Sequence, residues 1–137
     1  MPSLMKRIAV IAIAGTLSLS ALPALAHHSG TMFEPAKTIT INGTVKEFEY
    51  ANPHAWLLVN VKGADSTVTT WSFEMGELST LTRAGIHKQD FAPGMQATIS
   101  GRPMKDGRPA GQFQKAVRAD GQVFTTHVRE ADQPNPS

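Results

Sequence analysis

From Thr38 onward apolar and polar residues alternate with the period of two that marks half-buried strands. Ile39, Ile41, Gly43 and Val45 share one face of a first strand. Phe48 and Tyr50 fall on the opposite parity, so a bulge or sharp bend is expected near Lys46-Glu47. Asn52-Pro53-His54 follows. Pro53 donates no ladder hydrogen bond and fixes its own φ, so it belongs at a corner, with His54 at the rim of a sheet beside Trp56. A second strand is predicted from Ala55 to Val61, with Ala55, Leu57, Val59 and Val61 on one face and Trp56 and Leu58 on the other. Lys62-Gly63-Ala64-Asp65 reads as a hairpin turn. The third strand, Thr67 to Met75, sets Thr69, Trp71, Phe73 and Met75 on one side and Glu74 opposite.

Glu77 to Ala84 then changes period. Leu78 and Leu81 are spaced i, i+3, Glu77 suits an N-terminal turn and Gly85 a C-terminal stop, so a short helix is predicted. Pro93-Gly94 turns the chain into a fourth strand, Met95 to Gly101, with Met95, Ala97 and Ile99 inward. The loop from Arg102 to Pro109 carries the basic tip Lys105 to Arg108. A fifth strand runs from Gly111 to Ala119, and Asp120-Gly121 precedes a short segment from Gln122 to Thr125. Three strands, a short helix and two strands is the order of a five-stranded oligonucleotide/oligosaccharide-type (OB-like) barrel, all-β apart from the helix. A sandwich would want about seven strands.

The first 26 residues carry a different pattern. Lys6-Arg7 precede an apolar or small run from Ile8 to Leu22, and Ala24-Leu25-Ala26 gives the small-x-small pattern of signal-peptide cleavage. The run is short and too rich in Ser, Gly and Thr for a membrane span. The expected organisation is therefore a signal peptide over 1–26, an arm over 27–37, the barrel over 38–127 and a polar, disordered tail over 128–137, in an exported, periplasmic protein with no membrane attachment after cleavage. Removing Lys6 and Arg7 from the 13 basic residues leaves 11 against 11 acidic ones, so the mature domain is neutral and lacks the electrostatic footprint for nucleic acid. With no cysteine, disulfides and thiolate metal sites are excluded.

A series of short motifs runs through the mature chain: His27-His28-Ser29, Phe33, Gly43-Thr44-Val45, Asn52-Pro53-His54, Trp71-x-x-Glu74, Leu81-x-Arg83-x-Gly85, Pro93-Gly94 and Lys105-Asp106-Gly107. The series resembles the small exported bacterial proteins grouped as domain-of-unknown-function family 6152. The resemblance implies an exported β-barrel of unassigned activity. Gly85-Ile86-His87 departs from the Gly-Trp expected there, so His87 is read as incidental.

Cleavage after Ala26 would give His27 the free α-amino group, and an N-terminal histidine can offer its amine and imidazole Nδ1 to one ion. Nitrogen donors in a tetragonal set suit copper(II). The candidate metal ligands are accordingly His27 and His54, with His28 as a substitute for His54. The plainer alternative makes His27 and His28 a solvated start and His54 a turn residue bonded to nearby backbone. Trp71-x-x-Glu74 would pair a stacking ring with an acid; the plainer alternative makes Trp71 core and Glu74 solvent-facing. Met32, Met75, Met95 and Met104 offer thioethers to copper(I) but read more simply as packing. Two classes remain: a binding protein holding copper or a small ligand at the barrel mouth, and an accessory module docking an envelope partner through Trp56 and Tyr50. An enzyme comes third, because no catalytic constellation is visible.

Overall fold

The structure, a computed structural model, describes residues 29–126. The expected signal peptide, His27, His28, His127 and the tail from residue 128 lie outside the described residues.

Strand β1 (Ile39–Glu49) pairs with β2 (Ala55–Lys62), and β2 with β3 (Val68–Gly76), all antiparallel. Helix α1 (Leu78–Arg83) follows, then β4 (Gln96–Pro103), β5 (Ala110–Arg118) and a short β6 (Val123–Thr125). The sheet order is β3-β2-β1-β4-β5-β6, and a parallel pairing of β3 with β5 closes the first five strands into a barrel. The expected OB-like barrel is thus present, with its one short helix between the third and fourth strands. β5 divides its second edge: its first residues pair with β3 and its last with β6.

The register of β1 against β2 shifts between Val45 and Glu47, where the phase slip predicted a bulge. The bulge lets Val45 and Phe48, three residues apart, both point into the barrel, and both are buried. Leu57, Val59, Phe73, Ile99 and Ala116 fill the interior, with Leu81 of α1 and Ile86 covering one end. Phe91 meets Phe48 edge-on at 5.5 Å and Phe124 at 5.0 Å. It is delivered by a 3-10 turn, Lys88–Phe91, that the alternation did not predict. The His87 N–H donates to Asp90 Oδ2 at 2.6 Å and caps that turn.

Phe73 marks the closure of the barrel. A Cβ on Gly101 would come within 2.5 Å of the Gln112 carbonyl and 3.1 Å of the Phe73 ring; one on Gly111 would meet the Arg102 carbonyl at 2.8 Å. Two missing side chains therefore let β3, β4 and β5 approach under one aromatic ring. Trp71, expected in the core, is half-buried instead and stacks on Phe73 at 6.1 Å with an 18° tilt. The N-terminal arm is held by Phe33, which is buried and bridges Met104, while Met32 stays 44% exposed. Backbone bonds from Glu34 N to the Pro103 carbonyl and from Lys105 N to the Met32 carbonyl, both 2.9 Å, hold the arm along the end of β4.

Candidate functional site

The corner between β1 and β2 is fixed from both sides. Tyr50 Oη donates to the Ile86 carbonyl at 3.2 Å and lies 3.2 Å from Thr82 Oγ1. Asn52 Oδ1 accepts the Leu78 N–H at 3.1 Å, one of the unpaired donors at the start of α1, and the Asn52-Pro53 peptide is cis. Ala55, fully buried, anchors the far side of the corner against Gly76. His54 is left at the rim with its side chain 37% exposed, as the position of Pro53 predicts.

What His54 faces was not foreseen. Its Nδ1 lies 2.7 Å from Oε1 of Glu74, whose side chain is only 10% exposed. The pair is close in distance but lacks the alignment of a directed hydrogen bond. Glu74, expected in solvent, is buried although it sits on the opposite face from Phe73. Directly paired residues share a sheet face, so Trp56, Glu74, Gln112 and Arg102 form one row across β2, β3, β5 and β4. The corner covers this row at one side and the N-terminal arm at the other.

Two hollows flank Glu74. A cavity of about 440 Å³ is lined by His54, Glu74, Thr80, Arg102, Gln112 and Gln114, among others. A second, of about 330 Å³, is lined by Glu74 with Trp56, Met32, Phe33 and Met104. Glu74 is the partition between them. Arg102 lines the first cavity, and its Nε is buried without a hydrogen-bond partner among the described residues. Gln114 Oε1 accepts from Thr38 Oγ1 at 3.2 Å, which leaves the amide NH2 as its uncommitted end.

A histidine with Nδ1 beside a buried carboxylate keeps Nε2 as its second ring nitrogen. That arrangement serves a metal ligand, whose other ring nitrogen is commonly held by a carboxylate, and equally a general base. Among the described residues no three His, Asp or Glu side chains are grouped to hold a metal, so His54 and Glu74 would need donors from elsewhere. His87 lies on the 3-10 turn with Nδ1 3.6 Å from Asp90, apart from this cavity. Tyr50 is committed to α1, and Trp56, the other member of the suggested docking pair, is half-buried. Met75 and Met104 are buried, and Met95 Sδ accepts the Ala92 N–H at 3.3 Å. Arg102 and Gln112 were not singled out by the sequence. The alternation Gln112-Phe113-Gln114 placed two amides on one face, but their convergence with Glu74 depends on the parallel closure of β3 on β5.

The model of a family of unknown function (DUF6152) matches residues 14–114. No curated protein matches the chain.

Proposed function

The chain belongs to that family of unknown function, and from this premise we propose that it is an exported periplasmic protein that binds copper(II) at the barrel rim, with His54 Nε2 as the fixed ligand. The amine and imidazole of His27, freed by cleavage after Ala26, complete a three-nitrogen set, and His28 is the alternative donor. The observation that carries the reading is the 2.7 Å contact between His54 Nδ1 and buried Glu74. It sets one ring nitrogen beside a carboxylate, the kind of group that commonly supports the second nitrogen of a ligating histidine. The docking of the arm gives further support. Met32 and Phe33 line a cavity with Glu74, and the described part of the arm begins in a 3-10 turn, Ser29–Met32.

The test is a copper(II) titration of mature protein starting at His27. One alanine added before His27 removes the amine from the chelate while keeping every side chain, and affinity should fall. Glu74→Gln should weaken binding by about 10- to 100-fold, the usual effect of losing a partner behind a ligand. His54→Ala alone leaves a buried carboxylate without its neighbour, so His54→Ala/Glu74→Gln is made alongside it to keep the fold. Unchanged affinity in the alanine-extended protein and in the double variant contradicts the reading. Absence of copper binding by the wild type would pass the lead to the accessory module, with Trp56 as its docking residue.

A further inference from the structure

The copper reading uses one rim of the larger cavity and leaves the opposite wall unexplained. That wall consists of Arg102, Gln112 and Gln114. Arg102 brings a guanidinium to the cavity wall, and its Nε has no hydrogen-bond partner among the described residues. Arg102 sits next to Gln112 in the ladder, and Gln112 next to Glu74. Two strand spacings thus separate the Arg102 and Glu74 backbones, about 10 Å. At the Arg102 end the guanidinium, the Gln112 amide NH2 and the Gln114 NH2 can donate, and the Gln114 oxygen already accepts from Thr38. The anionic end of the cavity is already occupied by the His54–Glu74 pair.

We propose that this cavity binds a small organic monocarboxylate, its carboxylate seated on Arg102 and Gln112 and its remaining atoms directed toward the His54–Glu74 rim. The guanidinium fork matches the two oxygens of a carboxylate. The volume, about 440 Å³, lies within the range of small-ligand pockets. A second negative charge on the ligand would be driven toward Glu74, so a dicarboxylate fits less well than a monocarboxylate. The inference requires no metal and stands apart from the copper reading.

The test uses metal-free mature protein carrying the extra alanine before His27, so that the amine chelate is absent whatever the outcome for copper. Acetate, lactate, succinate and inorganic phosphate are titrated separately and followed by backbone amide NMR shifts. Acetate or lactate should shift residues 102, 112 and 114, and succinate should bind more weakly than lactate. Arg102→Gln should weaken lactate binding by about 10- to 100-fold, as expected for a charge-assisted hydrogen-bonded anchor, and Arg102→Lys by less. Gln112→Ala, made in parallel, should also weaken binding if Arg102→Gln proves unstable by melting. Absence of carboxylate binding to the parent protein, equal binding by Arg102→Gln in its folded form, or preference for phosphate or succinate would each overturn the assignment.

Discussion

Asn52, at the corner between β1 and β2, caps a helix 26 residues further along the chain: its Oδ1 accepts the Leu78 N–H at 3.1 Å. Glu77, the residue that precedes α1, makes no side-chain cap, so the corner supplies what the local sequence does not. The same three-residue corner therefore ends β1, starts α1 and positions His54.

Asn52→Ala should accordingly destabilise the protein by about 0.5–2 kcal/mol, the range for losing an N-cap. Denaturant unfolding measures it. A larger share of the effect should appear as faster hydrogen exchange at the start of α1. Unchanged stability and unchanged exchange at Leu78 would show that the corner does not support the helix.

The closure of the barrel has its own test. Gly111→Ala places a Cβ 2.8 Å from the Arg102 carbonyl and 3.2 Å from the Phe73 ring. Backbone cannot retreat as a flexible side chain can, so a loss of about 1–3 kcal/mol is expected from overpacking. Phe73→Ala should cost about 3–5 kcal/mol, as a fully buried phenylalanine does. Trp71→Ala should cost less than Phe73→Ala, because its ring is half-buried. Equal losses at positions 71 and 73 would contradict the packing described for Trp71.

Much of this architecture was legible from periodicity because each strand has one wet face. The parity slip between Val45 and Phe48 located the bulge, and Leu78, Leu81 and Gly85 located the helix. The arm has no strand or helix period, so Met32 and Phe33 were equal candidates for its anchor, and the structure buries Phe33 and leaves Met32 exposed. Residues whose environment is assembled from distant strands were not legible. Glu74 alternates like a solvent-facing residue, and its burial comes from His54, Gln112 and the arm. Phe91 stands among polar residues in a turn with no strand or helix period, yet lies at the centre of the aromatic cluster. His54 was placed correctly at the rim because Pro53 fixes a corner through local geometry alone. Its carboxylate partner could not be read, since the register shift between Ala55 and Trp56 decides which β3 residue it meets.

Acid stability should depend on the turn after β5. Arg118 donates to Asp120 through Nη2 at 2.6 Å and Nε at 3.2 Å, and the Gln122 N–H donates to Asp120 Oδ1 at 3.0 Å. The side-chain bond from Arg118, with the backbone bond from Gln122, holds the Asp120 carboxyl below its ordinary value. A depressed carboxylate contributes stability that is present above its unfolded pKa and lost as pH falls through its folded pKa. The wild type should therefore lose this contribution below about pH 4. Asp120→Asn should flatten that part of the profile while leaving the stability difference at neutral pH in favour of the wild type. Identical acid profiles would remove Asp120 from the account.

The central claim is that His54, held on Glu74, ligates copper(II) together with His27. It is tested most directly by electron paramagnetic resonance of copper-loaded mature protein labelled with ¹⁵N in its histidines. The account predicts a tetragonal copper(II) signal with coupling to imidazole nitrogen from two histidines, reduced to one in His54→Ala/Glu74→Gln and unchanged in His87→Ala. A spectrum identical in the wild type and the His54→Ala/Glu74→Gln variant would contradict it.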